Sequence, residues 1–142
     1  MRLVLDANVI FSALLRGKPL SMLIELQKRG IELITPDFLV EEFFEKVEEL
    51  SKVLGVNEKQ AVESFTKLLS ELVRVVPKKE YSKFLSKASR ISPDTKDIPY
   101  FALSLAFNKA PIWSREPRLR RQKVVEVLSD KEVEELLKES ST

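Results

Sequence analysis

Apolar residues fall in two rhythms along this chain. Short apolar runs, Leu3-Val4-Leu5, Ile31 to Ile34 with Glu32 inside it, Val73 to Val76 around Arg74, and Ile112-Trp113, read as strands buried within a sheet. Stretches in which such positions recur at three and four read as helices: Leu20, Leu23, Ile24 and Gln27 set one over residues 20–29, closed by Gly30. Thr35-Pro36-Asp37 reads as an N-cap, a first-turn proline and an acid, opening a helix to about Leu50. Ala61, Val62, Phe65, Leu68, Leu69 and Leu72 mark a further helix over residues 57–72. Two helices with no strand between them read as an inserted helical hairpin. Residues 81–88 form a shorter helix, Ser92-Pro93-Asp94 a loop, and residues 95–109 a strongly apolar helix that predicts burial on most sides. Residues 124–128 give a last strand, and Ser129 with Glu132 boxes the start of a final helix to about Lys138. Strands alternating with helices predict an α/β fold, with a parallel sheet covered on both faces.

Composition narrows the chemistry. The 142 residues contain no internal repeat and no Gly/Ser linker, so residues 1–142 read as one domain. There is no cysteine and no histidine, which removes the usual zinc ligand sets, thiol chemistry and every Ser-His or Cys-His catalytic arrangement. Any reaction must use carboxylates, Lys, Ser/Thr, Tyr or a hard metal ion. No apolar run approaches the roughly 20 residues of a membrane span, and Asp6 ends the first apolar run too early for a signal peptide, so the expectation is a cytoplasmic protein that does not enter a membrane. A net charge of +2 confines any nucleic-acid contact to local patches.

In an open parallel sheet, ligands gather beyond the carboxyl ends of the strands. Four acids fall at such places: Asp6 after the first strand, Glu42 in the early turns of the helix after the second, Asp97 in the first turn of the buried helix, and Glu116 just past the fourth strand. Carboxylates brought together repel one another unless a cation neutralises them, and an oxygen-only set suits Mg²⁺ or Mn²⁺. Each acid also has a plainer use, because Asp and Glu favour helix N-termini, and Asp94 with Asp97 has the spacing of a capping pair. Glu42 sits among Glu41, Glu45, Glu48 and Glu49, as a residue of a solvated face would. Asn8 and Ser114 are candidates to orient a carboxylate or water. Residues 115–123 carry Arg115, Arg118, Arg120, Arg121 and Lys123 against the single acid Glu116, a candidate phosphate-contacting surface beside Trp113.

Three segments together resemble the PIN domain family. Leu3-Val4-Leu5-Asp6-Ala7-Asn8-Val9-Ile10 is similar to its opening motif, the stretch from Ser92 through Asp94 and Asp97 to Ala106 to its central motif, and Ile112-Trp113-Ser114-Arg115-Glu116 to its last acidic motif. The resemblance implies a three-layer α/β/α sandwich and a metal-dependent nuclease acting on RNA, often the VapC-type toxin of a toxin–antitoxin pair and often a homodimer. It implies that Asp6, Glu42, Asp97 and Glu116 are catalytic and bind Mg²⁺ or Mn²⁺, with Asn8, Asp94 and Ser114 in support. Glu116 stands where the family usually has Asp, and Arg118 where it often has another acid.

Two function classes follow. The first is an endoribonuclease that hydrolyses phosphodiester bonds at the four acids and grips RNA through Arg115, Arg118, Arg120 and Arg121. The second is a PIN-like domain without turnover that binds RNA or protein, motivated by the altered final motif. A weaker third class, a phosphotransferase with Asp6 as nucleophile, meets Asn8 where one common phosphatase motif needs a second Asp. Phe38, Phe43 and Phe44, with the apolar positions of the hairpin, are available to the core or to a partner chain.

Overall fold

Leu3, Val4 and Leu5 are shut off from solvent in β1 (Arg2–Leu5), the middle strand of a five-stranded parallel sheet. The other strands are β2 (Glu32–Pro36), β3 (Arg74–Val76), β4 (Ile112–Trp113) and β5 (Val127–Leu128), in the order β3-β2-β1-β4-β5. The structure, a computed structural model, describes residues 1–139. Pairing runs Val4 beside Ile34 on one side of β1 and beside Ile112 on the other. The order reverses between β1 and β4, and a crevice at such a switch point is where doubly wound sheets hold ligands.

Among the described residues seven helices cover the sheet: α1 (Ala7–Leu14), α2 (Lys18–Lys28), α3 (Phe38–Leu54), α4 (Glu58–Leu72), α5 (Leu85–Ile91), α6 (Ile98–Ala106) and α7 (Asp130–Glu139). Helix α6 lies against β1, β2 and β4 with α5 packed on it, while α1, α2 and α4 pack together in the other layer. The arrangement is the three-layer α/β/α sandwich. The α3–α4 pair is the expected hairpin. Gly55 closes α3 at φ 71°, a left-handed conformation that suits glycine, and Asn57 opens α4 with a reciprocal capping box to Gln60. Inside the hairpin, Phe43 stacks on Phe65 at 3.8 Å between ring centroids. Among the described residues no helix is long and apolar enough to cross a membrane.

Several boundaries differ from the sequence reading. Thr35 and Pro36 are not a helix cap but the end of β2, paired with Val75 and Val76 of β3. Buried Thr35 donates its hydroxyl to the Leu5 carbonyl at 3.1 Å, which ties β2 to β1 where a cap would have turned away. Helix α1 has no counterpart in the periodicity, because Ala7, Val9, Ile10, Phe11, Ala13 and Leu14 are all buried and leave only Asn8 and Ser12 as a narrow polar edge. The segment expected as one helix over residues 81–88 is the 3₁₀ turn Ser82–Phe84 followed by α5, and the buried helix starts with a 3₁₀ turn at Thr95–Asp97 and ends at Ala106. The last strand is only Val127–Leu128. Phe43 belongs to the core and Phe38 packs against it, while Phe44 is exposed.

Candidate active site

Asp6 occupies the N-cap position of α1, yet its side chain makes no capping bond. Instead Oδ2 accepts a 2.7 Å hydrogen bond from Ser114 Oγ, and that hydroxyl accepts in turn from the Glu116 backbone N–H at 3.0 Å. The Asp6 N–H itself bonds the Trp113 carbonyl at 3.1 Å. These contacts fasten the carboxyl ends of β1 and β4 to each other at the switch point. Asp6 is only 5% exposed, and burial pushes its carboxyl pKa up; the Ser114 hydrogen bond opposes that shift and the charge of Glu116 adds to it.

Glu42 reaches the same region from the second turn of α3. It is half-buried, and Oε1 accepts a 2.5 Å hydrogen bond from the hydroxyl of Tyr100, a fully buried residue of α6. Burial raises the Glu42 pKa; the Tyr100 bond lowers it and the Asp6 charge raises it again. Asp97 sits at the N-cap of α6, again without a capping bond from its side chain. Its carboxyl is pushed up to about 7 by burial first, then by the charges of Asp6 and Asp94, against the nearby Arg118. Acids at the end of β1, on α3 and at the start of α6 are therefore within electrostatic reach: the Asp6 charge raises the pKa of both Glu42 and Asp97, and the Glu42 charge that of Asp97. Lys46 on α3 is a cation felt by both Asp6 and Glu42.

The fourth acid and its neighbours are arranged differently. Glu116 follows β4 and meets Arg118, whose Nε lies 3.5 Å from Glu116 Oε2 and whose Nη1 lies 3.2 Å from Asp94 Oδ2. Asp94 also accepts from the Lys96 N–H at 3.0 Å, so it does cap the short turn ahead of α6, and that bond holds its pKa below the ordinary value. Asn8 is exposed on the first turn of α1. Arg115 is tied to Asp130 and donates to Ser12 at 2.6 Å, and Arg120 is paired with Glu132. Arg121 is exposed with no ion pair among the described residues. Three of the four expected phosphate-binding arginines are thus already engaged by carboxylates of this chain.

The donor chemistry fits a hard divalent cation: every candidate ligand is a carboxylate, the chain has no Cys or His, and the Asp6 charge disfavours the ionised forms of both Glu42 and Asp97. Among the described residues no group of three or more acids is arranged to hold an ion as it stands. Asp6 and Glu42 are turned to hydroxyl partners. The sequence reading passed over Tyr100 because an aromatic inside the apolar run of α6 looks like core, which it also is; its hydroxyl, 58 residues from Glu42, carries no local signal.

A parallel α/β/α sandwich with an acidic switch point defines a broad class. Within it, the family model described as PIN domain matches residues 4–136, and the chain belongs to that family. Among solved structures, it is similar to VapBC2 from Rickettsia felis bound to a DNA fragment from the promoter, at 12% identity and a TM-score of 0.66 over 91% of this chain and 98% of that one. It is also similar to PAE2754 from Pyrobaculum aerophilum, at 13% identity and a TM-score of 0.62 over 99% of this chain and 90% of that one. At these identities the likeness speaks for the fold alone. No curated protein matches this sequence.

Proposed function

We propose that this PIN domain is a metal-dependent endoribonuclease, with Asp6, Glu42, Asp97 and Glu116 as its catalytic carboxylates. The observation that carries the reading is the meeting of Asp6, Glu42 and Asp97 from three separate elements, each with its charged form disfavoured, at the carboxyl end of the sheet. Such mutual repulsion costs stability, and a divalent cation offsets it. Asp6, Glu42, Asp97 and Glu116 would hold Mg²⁺ or Mn²⁺, which when bound would supply Lewis acidity toward water and screen phosphate charge. Ser114 holds the Asp6 carboxylate, Tyr100 holds that of Glu42, and Asn8, exposed two residues after Asp6, is a further supporting residue in this reading. Tyr100 stays protonated, because burial and the Glu42 charge both raise its pKa, so it serves as a donor.

In this reading the chain is the toxin of a toxin–antitoxin pair in the cytoplasm, acting as a homodimer held in check by a protein antitoxin. Family membership and the likeness to the VapBC2 structure support it. Phe44 and Val53, exposed on α3, offer apolar surface to such partners. The test is cleavage of end-labelled RNA with Mn²⁺, Mg²⁺ or EDTA, in preparations free of host nuclease. Wild type is expected to cleave only with a divalent ion, and Asp6→Asn to lose at least about a thousandfold in rate, the scale of several kcal/mol of charge stabilisation. Cleavage that survives in EDTA or in Asp6→Asn refutes the assignment.

One observation favours the second reading, a PIN-like binding module without turnover: Arg118 already places a cation between Asp94 and Glu116. A well-folded wild type that binds RNA and cleaves none under any metal condition supports that module.

A further inference from the structure

The segment from Lys78 to Ile91, between β3 and α6, contains the basic residues Lys78, Lys79, Lys83, Lys87 and Arg90 and the single acid Glu80. All five are exposed, and among the described residues none forms an ion pair. Glu80 is taken up by Arg74 at 3.2 Å, so the positive charge of the segment is uncompensated. Lys83, Lys87 and Arg90 are spaced four and three apart, across the turn Ser82–Phe84 and helix α5, which puts them on one face. Phe84, Leu85, Ala88 and Ile91 are the residues of this stretch that pack into the core, which leaves the charged face outward.

Both ends of the segment lie at the carboxyl end of the sheet. At one end the Lys78 N–H donates to the Asp37 carboxylate at 3.0 Å, just ahead of the helix that carries Glu42. At the other, residues 92–97 deliver Asp97 to the acidic cluster. Arg115, Arg118 and Arg120 face the opposite situation, since a guanidinium held by Asp130, Glu116, Asp94 or Glu132 must break that pair before it can grip a phosphate.

We propose that the exposed Lys83–Lys87–Arg90 stripe, with Lys78 and Lys79 at its entrance, is the phosphate-binding track that leads single-stranded RNA to the acidic cluster. That the polyanion is RNA rests on the nuclease reading. A rise of 1.5 Å per residue spreads the three stripe charges over roughly 10 Å, enough to follow a strand rather than hold one ion. Such contacts release counterions and carry no sequence information, so the track gives salt-sensitive, sequence-tolerant binding.

The test is fluorescence anisotropy of a short labelled single-stranded RNA in EDTA, from about 50 to 200 mM salt, run beside a separate Mn²⁺ cleavage assay. The triple variant Lys83→Gln, Lys87→Gln, Arg90→Gln is expected to bind ten- to a hundredfold more weakly near 0.1 M salt, with a log–log salt slope smaller by about 2. The double variant Arg115→Gln, Arg120→Gln is expected to change the slope by less than about 1. Wild-type affinity and slope in the triple variant, or stripe-dependent binding of duplex DNA or anionic vesicles in place of RNA, overturns the track. A lowered slope without any cleavage by wild type keeps the track and removes the nuclease; cleavage with an unchanged triple variant does the reverse.

Discussion

At the amino end of the sheet, Glu32 lies 3.3 Å from Arg2 and 3.2 Å from Arg74, and both guanidiniums sit over the ring of Phe107, at 5.2 and 5.7 Å from its centroid. At the carboxyl end, Asp6, Glu42 and Asp97 gather with like charge, and two of them are met by hydroxyls rather than cations. Both ends belong to the same strands and were built under the same demand for stability. The amino end meets that demand by pairing opposite charges in partial solvent, where each pair contributes at most about 1 kcal/mol. The carboxyl end defies it, because buried like charges cost free energy. Strain against stability, held in place by specific donors, is what the proposed catalytic role of the carboxyl end accounts for.

Changes at the two ends should therefore behave unlike one another. The largest effect short of removing an acid is expected from Tyr100→Phe, which keeps the buried ring and deletes only the donor to Glu42. RNA cleavage rates should fall about ten- to a hundredfold with the fold intact; an unchanged rate would reduce Tyr100 to a core residue. Next, Ser114→Ala removes the donor to Asp6 and the acceptor for the Glu116 N–H, and urea unfolding should show a loss of about 1–3 kcal/mol. A loss below about 0.5 kcal/mol would mean that the two strand ends are not fastened there.

A smaller effect follows from Asp97. Its carboxyl pKa rises from 3.8 to about 7 on folding, so the folded state binds more protons than the unfolded state between those values. Stability in EDTA should therefore fall as pH rises from about 4 to about 7 and level off above, by on the order of 1 kcal/mol after allowance for partial exposure. Asp97→Asn should flatten that slope, and a slope that persists in the variant assigns it elsewhere. Least of all, Glu32→Gln at the amino end should change stability by no more than about 0.5 kcal/mol and leave cleavage alone; a large effect on either would erase the contrast between the ends.

How much of this could be read along the chain depends on whether a signal is local. Unbroken runs such as Leu3-Val4-Leu5 announce buried strands, and the capping box of Ser129 with Glu132, three residues apart, forms as read, while the equally local box of Asn57 with Gln60 is one the reading passed over. Asp6 is found by the same logic, since the end of an apolar run locates the end of a strand, whereas Glu42 and Asp97 are located by the starts of the helices that carry them. Thr35-Pro36 misled because polar residues that end a strand resemble those that start a helix, and only the neighbouring β3 decides between them. Helix α1 lacked a period because it is buried nearly all round. The arginines of residues 115–121 displayed their charge in the sequence but not their partners, and Asp130 and Glu132 reach them only once α7 packs against β5. Tyr100 showed its ring and hid its hydroxyl's purpose.

Whether the carboxyl-end cluster exists for a cation is tested most directly by thermal unfolding of wild type and Asp6→Asn, in EDTA and with increasing Mn²⁺. A ligand that binds the folded state alone raises its midpoint in proportion to the logarithm of its concentration once the site is saturated. Wild type is expected to rise with Mn²⁺, while Asp6→Asn, relieved of a buried charge, unfolds hotter than wild type in EDTA and does not respond to the metal. An equal rise in both proteins, or no rise in wild type, would contradict a metal-binding role for Asp6 and its neighbours.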